Sequence, residues 1–414
     1  MSESAETIIV GAGHAGLSVS CHLSMAGHGH LVLERGDIAQ TWRSQRWDSF
    51  TLNSPNSLNQ LPGDQTPLSD PDGFWHRDEL LESFESHASS MKLPVRTGVN
   101  VTGIGASPGG KGFVLRSEAD SYNAVNVVVA SGTMQTPQTP AVSKELPSWL
   151  DQAHTASYRN PDQLKPGAVL IVGSAQSGVQ IAEELIEAGR SVYLCTSKVG
   201  RSLRKYRGRD VLNWGIATGN LDQTVADLED PNMQFATQPQ VSGTRGGHTI
   251  SLQQLARDGV ILLGGLKGAS GDQIQMRENL IENCNFADGV AQRRKQQIDD
   301  YITTAGIDAP PAEIDPIEAP NLALLSAPVQ DSLDLKRAGI NTVIWCTGFT
   351  ADFSWIQGLE LDSRGTPVHA NGVSSIPGLY FNGFPWLRNR ASGLIYGGVR
   401  DGKHIASLIT SGSR

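Results

Sequence analysis

Two glycine clusters in this chain have the make-up of phosphate cradles: Gly11-Ala12-Gly13-His14-Ala15-Gly16 and Gly173-Ser174-Ala175-Gln176-Ser177-Gly178. In a G-x-G-x-x-G run the first glycine makes a tight turn, the second lets backbone approach a pyrophosphate, and the third allows close helix packing. The helix that follows presents aligned N–H donors to the negative charge. From Gly11 to Glu34 and from Gly173 to Thr196 the separation is the same 23 residues, so one unit is repeated with a different residue at its ribose end. The second copy is degenerate, because Ala175 stands where the middle glycine belongs.

The ribose ends separate two cofactors. A carboxylate at Glu34 accepts from ribose hydroxyls and repels a 2′-phosphate, which suits FAD. After Thr196 come Ser197, Lys198, Arg201, Arg204, Lys205, Arg207 and Arg209, with no acid before Asp210. Hydroxyls and guanidinium forks welcome a 2′-phosphate, which suits NADPH. The other readings of this basic run are a solvated face and a set of ties between domains. Two nucleotides in one chain imply hydride transfer from NADPH to a flavin.

These residues need strand–turn–helix units to hold them. Thr7-Ile8-Ile9-Val10 and Ala168-Val169-Leu170-Ile171-Val172 read as strands entering the two turns, with helices to Met25 and from Val179 to Ala188 after them. His30 to Leu33 and Ser191 to Leu194 complete the two units. Arg77 to Met91 reads as a helix, Val95 to Ile104 and Gly112 to Ser117 as strands, and Ala124 to Ala130 as a buried strand ending at Ser131-Gly132. Gln40 to Gly63, with Trp42, Trp47, Asn53, Pro55 and Pro62, is too irregular for a regular element and reads as a functional loop. The stretch 212–328 is the least legible, with a helix expected around Gly289 to Thr304. Thr342 to Cys346, Gly378 to Phe381 and a helix from Arg400 to Thr410 close the chain.

Composition excludes several classes. A net charge of −9 opposes a broad nucleic-acid footprint. Cys21, Cys195, Cys284 and Cys346 never form a C-x-x-C pair, so neither a metal site nor a redox disulfide is expected. No apolar run approaches the roughly 20 residues that cross a bilayer, and no membrane insertion is expected. The chain reads as soluble and cytoplasmic; its oligomeric state stays open, a homodimer included.

Gly11 to Gly16 with Glu34-Arg35, Thr41-Trp42-Arg43, Trp47 through Pro55, Gln60-Leu61-Pro62, Ala130 through Thr133, Arg204 through Asp210, Trp345 through Phe349 and Pro377 through Tyr380 together resemble the class B flavin-dependent monooxygenases. That family includes the flavin-containing N/S-monooxygenases and the Baeyer–Villiger enzymes, and the bacterial branch labelled flavoproteins involved in potassium transport is most similar. Its fingerprint, F-x-G-x-x-x-H-x-x-x-(Y/F/W), survives here as His154 and Tyr158, with Ser148 and Leu150 in place of Phe and Gly. The resemblance implies a C4a-(hydro)peroxyflavin that passes one oxygen atom from O₂ to a small organic substrate. It makes Asn53 the amide beside the flavin, His154 a catalytic or positioning residue, Trp42 a wall of the flavin pocket, and Thr347-Gly348 a second dinucleotide-side turn. Trp386, Arg388, Asn389 and Arg390 are candidates for the substrate mouth.

The expected fold is α/β with two Rossmann-like dinucleotide-binding domains: an FAD domain from residues 1–150 and 331–414, and an NADPH domain, 151–330, inserted into it. The expected cofactor-binding residues are Gly11, Gly13, Gly16, Glu34, Arg35, Trp42, Gly173, Ser174, Gln176, Ser177, Gly178, Ser197, Lys198, Arg201, Arg204, Thr347 and Gly348, with no metal. Two other functions stay open: an NADPH:acceptor flavin oxidoreductase without oxygen insertion, and a nucleotide-binding redox sensor that regulates a transporter.

Overall fold

The computed structural model describes residues 2–328 and 330–412. Ser2–Val10 is the central strand of the first sheet, paired in parallel with His30–Leu33 on one side and Ser121–Val129 on the other. Ile8, Ile9, Val127, Val128 and Val129 are fully buried, so both faces of these strands are covered. That is why the run is continuously apolar rather than alternating. Leu379–Phe381 adds in parallel to Ser121–Val129, which places the end of the chain in the first sheet. The C-terminal helix, Ile395–Gly412, packs on the first helix, His14–Met25. Val101–Ala106 and Phe113–Ser117 form an antiparallel meander with Ser121–Val129.

The second sheet runs Ile261–Leu263, Val192–Cys195, Ala168–Val172, Ile340–Trp345 and Asp151–His154, all parallel. This corrects the expected domain boundary. Ile340–Trp345 lies within the span 331–414 expected of the first domain, yet it pairs with Ala168–Val172 and Asp151–His154. Hydrophobicity marks a strand as buried without saying which sheet buries it. The inserted domain therefore extends past residue 330 to Trp345. The chain crosses between domains twice, and the crossings pair antiparallel, Phe349 with Pro137 and Thr350 with Thr136.

Two expected helices are longer than read. The helix in the opaque middle stretch spans Leu280–Ala305, and the C-terminal one begins five residues early at Ile395. Its Gly397-Gly398 hides the start, because glycine argues against helix by propensity while permitting close packing here.

The two turns are built alike. Gly11 has φ +107°, and a Cβ there would lie 2.6 Å from the carbonyl oxygen of Ala130. Gly173 has φ +103°, and its Cβ would lie 2.5 Å from the carbonyl oxygen of Cys346. A Cβ on Gly16 would sit 1.9 Å from the Gly11 carbonyl oxygen, as one on Gly178 would from that of Gly173. Gly16→Ala and Gly178→Ala should each cost about 1–3 kcal/mol or more through overpacking, measured as a lower denaturation midpoint. Gly13→Ala, with φ −80° and no atom within 4 Å of the added methyl, should leave stability within about 0.5 kcal/mol.

Candidate dinucleotide sites and the seam between them

Both nucleotide turns end on helix N-termini that no side chain caps. Neither His14–Met25 nor Gln176–Glu187 has a capping side chain or a first-turn acid, whereas Arg77–Ser90 carries a full capping box. The first N–H groups of the two helices are thus free for anionic oxygens. Space is available as well, since a Cβ on Gly13 would meet nothing within 4 Å. The first turn therefore fits a pyrophosphate.

At the ribose end of this turn the buried carboxylate of Glu34 accepts from the N–H of Ala12 at 2.8 Å and of Gly36 at 3.0 Å. It braces the turn and marks its outer edge. Arg35 is exposed and, with Gly36, Gln40, Ser44 and Asn100, lines an open cleft of about 400 Å³. Trp42 is half-buried, its ring 5.9 Å from that of Phe50 and 5.1 Å from the Arg46 guanidinium. Trp47 packs edge-on to Phe50 at 5.0 Å.

The second turn keeps its backbone despite Ala175, whose φ −72° and ψ −172° match the −80° and −176° of Gly13. Only the methyl is added, in the space left open at Gly13. Ser174 and Ser197 bind each other, the Ser197 N–H donating to Ser174 Oγ at 2.9 Å. Gln176 Oε1 accepts from the N–H of Val241 at 3.1 Å, which fixes the 240s loop over the turn. Ser177 has no hydrogen-bond partner among the described residues, leaving its hydroxyl available on the first turn of the helix. Lys198 is exposed, 3.6 Å from Glu282 and 5.1 Å from the ring of Phe286.

Arg201 and Arg204 depart from the expected phosphate-binding role. Arg201 is 1% exposed, its Nε 2.6 Å from Asp288 Oδ1 and an Nη 3.0 Å from Glu318 Oε1. Arg204, 2% exposed, donates to Asp210 Oδ1 at 2.8 Å and to the carbonyl oxygen of Asn53 at 2.9 Å. Both forks are spent on protein acceptors, so of the open readings of the basic run, ties within the protein hold for these two. Ser197 and Lys198 remain at the ribose end.

The seam between domains is polar and closely fitted. Asn53 Oδ1 accepts from the N–H of Gly243 at 3.2 Å and from Gln180 Nε2 at 2.9 Å. A backbone N–H only donates, so the contact fixes the amide's orientation and leaves Nδ2, its donor end, without a partner among the described residues. Gln180 Oε1 is buried and unpartnered beside it. Glu184 accepts from Ser49 and from Tyr158, each at 2.6 Å, and burial pushes its carboxyl above the usual range. Gln180 and Glu184 were not singled out in the sequence; their spacing of four after Gln176 puts one polar stripe on an otherwise apolar helix face.

His154 does not fit the expected catalytic role. Its Nδ1 accepts from the N–H of Ala156 at 3.1 Å, so Nε2 carries the proton and donates to the Gly348 carbonyl at 3.0 Å. Burial holds the ring below the ordinary histidine pKa. With both nitrogens occupied by backbone it is a brace for the Thr347-Gly348 turn, where Gly348 has φ +85° and Thr347 Oγ1 donates to the Gln138 carbonyl. Among the described residues no cluster of ligating side chains could hold a metal ion, and no helix is long and apolar enough to cross a membrane.

A family model described as pyridine nucleotide-disulphide oxidoreductase matches residues 8–213. An uncharacterized CzcO-like oxidoreductase of Geobacillus kaustophilus is 29% identical over 98% of both chains. A probable indole-3-pyruvate monooxygenase, YUCCA1 of Arabidopsis thaliana, is 30% identical over 53% of this chain and 52% of its own. A flavin-containing monooxygenase from Stenotrophomonas maltophilia superposes with a TM-score of 0.65 at 18% identity, covering both chains fully. The chain is an oxidoreductase with the two-domain FAD/NADP-binding fold. Its fold is that of the flavin-containing monooxygenases, and CzcO-like oxidoreductases are among its relatives over nearly the full length. Disulfide chemistry finds no support in its thiols: all four cysteines are buried and unpaired, and burial pushes each up to about 12.

Two outcomes follow. Arg201→Ala leaves Asp288 without a cation and Glu318 with Lys295 alone, and should cost about 3–5 kcal/mol of stability in chemical denaturation. Lys198→Ala should leave stability unchanged and weaken NADPH more than NADH, read as the ratio of their affinities. A further outcome concerns pH. His14 Nε2 is buried and unpartnered, and burial pulls this ring down to about 4. The unfolded chain takes up a proton at His14 below about pH 6.5 and the folded one does not until about 4, so its contribution to stability falls as pH drops through that window. His14→Asn should flatten the decline in a denaturation series across it.

Proposed function

We propose that this chain is an NADPH- and FAD-dependent monooxygenase of a small organic molecule, acting at a nucleophilic nitrogen or sulfur or at a ketone, in the cytoplasm. FAD occupies the turn at Gly11, Gly13 and Gly16 with Glu34 at its ribose end. NADPH occupies the turn at Gly173 to Gly178, with Ser197 and Lys198 towards its 2′-phosphate. When bound, the flavin accepts hydride from NADPH, reacts with O₂, and supplies one oxygen atom to the substrate while the other leaves as water.

The observation that carries this reading is the Asn53 amide. It sits on the seam between the two cradles, turned by Gly243 and Gln180 so that its donor end is free. An amide can donate a hydrogen bond to a developing oxygen charge and, being neutral, does not strip a proton from it. The loop that carries it is held shut at Glu184, Asn160 and Arg204, where Ser49, Asp48 and the Asn53 carbonyl meet the second domain. These ties hold the two domains together around the amide. His154 contributes from behind, by fixing the crossing at Gly348.

A second reading, an NADPH:acceptor oxidoreductase without oxygen insertion, is favoured by one feature. Leu150 occupies the fingerprint's glycine position, and it is buried in the core of the second domain. Rapid mixing of the NADPH-reduced protein with oxygenated buffer separates the two. Monooxygenation requires a transient flavin–oxygen adduct before reoxidation, and Asn53→Ala should shorten its life by about 100–1,000-fold, the range for one lost donor in a desolvated site. Direct reoxidation with no adduct, in the wild type, supports the acceptor reductase.

A further inference from the structure

The reading above leaves the substrate open, and two arginines outside both cradles bear on it. Arg294 stands on the long helix Leu280–Ala305 and Arg390 opens the short turn Arg390–Gly393 after the last strand. Both are half-buried, and among the described residues neither meets a carboxylate. The side chain of Arg294 makes no hydrogen bond among the described residues. Arg390 donates only to Gln223 Oε1, at 3.1 Å, and its Nε is buried without an acceptor. The buried arginines of the same domain behave otherwise: Arg201 has Asp288 and Glu318, and Arg204 has Asp210.

The two groups share one wall. A Cβ on Gly215 would lie 3.1 Å from an Nη of Arg294 and 3.1 Å from Leu221 Cγ. Two residues on, Gln223 accepts from the backbone N–H of Arg390 at 2.9 Å as well as from its side chain. The charge of Arg390 adds to burial in pulling Arg294 down to about 10. Two like charges held together with no counter-ion are an electrostatic cost that an anion would remove.

The pair lies towards the end of the first domain that carries the first cradle. Arg390 lies 4.9 Å over the ring of Trp386, whose indole is 7% exposed with a buried, unpartnered Nε1. Trp386 also has φ +56°, a strained conformation for so bulky a residue. Three residues earlier Gly383 packs on the first cradle, where its Cβ would lie 2.5 Å from that of Ala15. The NADPH phosphates lie elsewhere: Asn283 bonds Thr196 at the ribose end of the second cradle, and Arg294 is about 16 Å farther along the same helix at 1.5 Å per residue.

We propose that Arg294 and Arg390 clamp the carboxylate of the substrate, so that this enzyme oxygenates an organic acid, with Trp386 as the wall of its binding site. This rests on the monooxygenase reading for the word substrate, but the anion site can be tested without turnover. The probes are phenylthioacetate and its neutral isostere phenylthioacetamide, titrated calorimetrically into the oxidised FAD-bound protein. The acid should bind about tenfold or more tightly than the amide. Arg294→Gln and Arg390→Gln should each erase that preference, leaving the amide's affinity and the affinity for NADPH within about twofold. Because Arg294→Gln removes an unpaired charge, its melting temperature without ligand should equal or exceed that of the wild type; should it fail to fold, Arg294→Lys, which keeps the charge and loses the fork, should weaken the acid alone.

Equal binding of acid and amide, binding of neither, or losses that fall alike on both probes would overturn the proposal. So would a parallel loss of NADPH affinity, which would assign the pair to a dinucleotide phosphate. Preference for the acid without sulfoxide formation under NADPH and O₂ would keep the acid site and refute the oxygenation. Sulfoxide formed equally from both probes would do the reverse.

Discussion

The approach of one glycine carbonyl to the glycine five residues later is the contact on which the rest of this molecule depends. At 1.9 Å from where a Cβ would stand, the Gly11 and Gly173 carbonyl oxygens forbid any side chain at Gly16 and Gly178. This closeness lets each helix start hard against its strand. The uncapped N–H groups of both helices then face outward over the strand ends. The neighbouring strand is set by the same turns, because Ala130 and Cys346 press their carbonyls on Gly11 and Gly173. Cofactor geometry and sheet order are therefore fixed by one packing event made twice.

With two such turns in place, function becomes a question of what lies between them. The loop from Gln40 to Gly63 belongs to the first domain by sequence, yet Asp48, Ser49 and Asn53 all bond to the second. Arg204 completes the seam from the other side, one Nη on Asp210 and the other donating to the carbonyl oxygens of Asn53 and Ser242. Charge that looked like a phosphate site thus holds the loop that carries Asn53.

Much of this was legible in the sequence, and the gaps have physical causes. Strand, turn and helix at both cradles, with Glu34 at the end of the second strand, follow from local pattern alone. The basic run after Thr196 misled for Arg201 because its acids, Asp288 and Glu318, arrive from far along the chain, and for Arg204 because Asp210, the first acid after the run, folds back onto it. The strand Ile340–Trp345 was readable as a strand and assigned to the wrong sheet. A signal existed in the repeat, since Cys346-Thr347-Gly348 mirrors Ala130-Ser131-Gly132 after a buried strand. The Arg294 and Arg390 pair could not be read at all, for they lie 96 residues apart in sequence and meet only through Gln223 and Gly215.

The measurement that bears most directly on the central claim is anaerobic mixing of the purified, FAD-loaded protein with NADPH, followed by flavin absorbance. Bleaching of one FAD per chain, faster or at lower concentration with NADPH than with NADH, is the expected result. A protein that takes up no flavin, or whose bound flavin NADPH leaves oxidised, would contradict it.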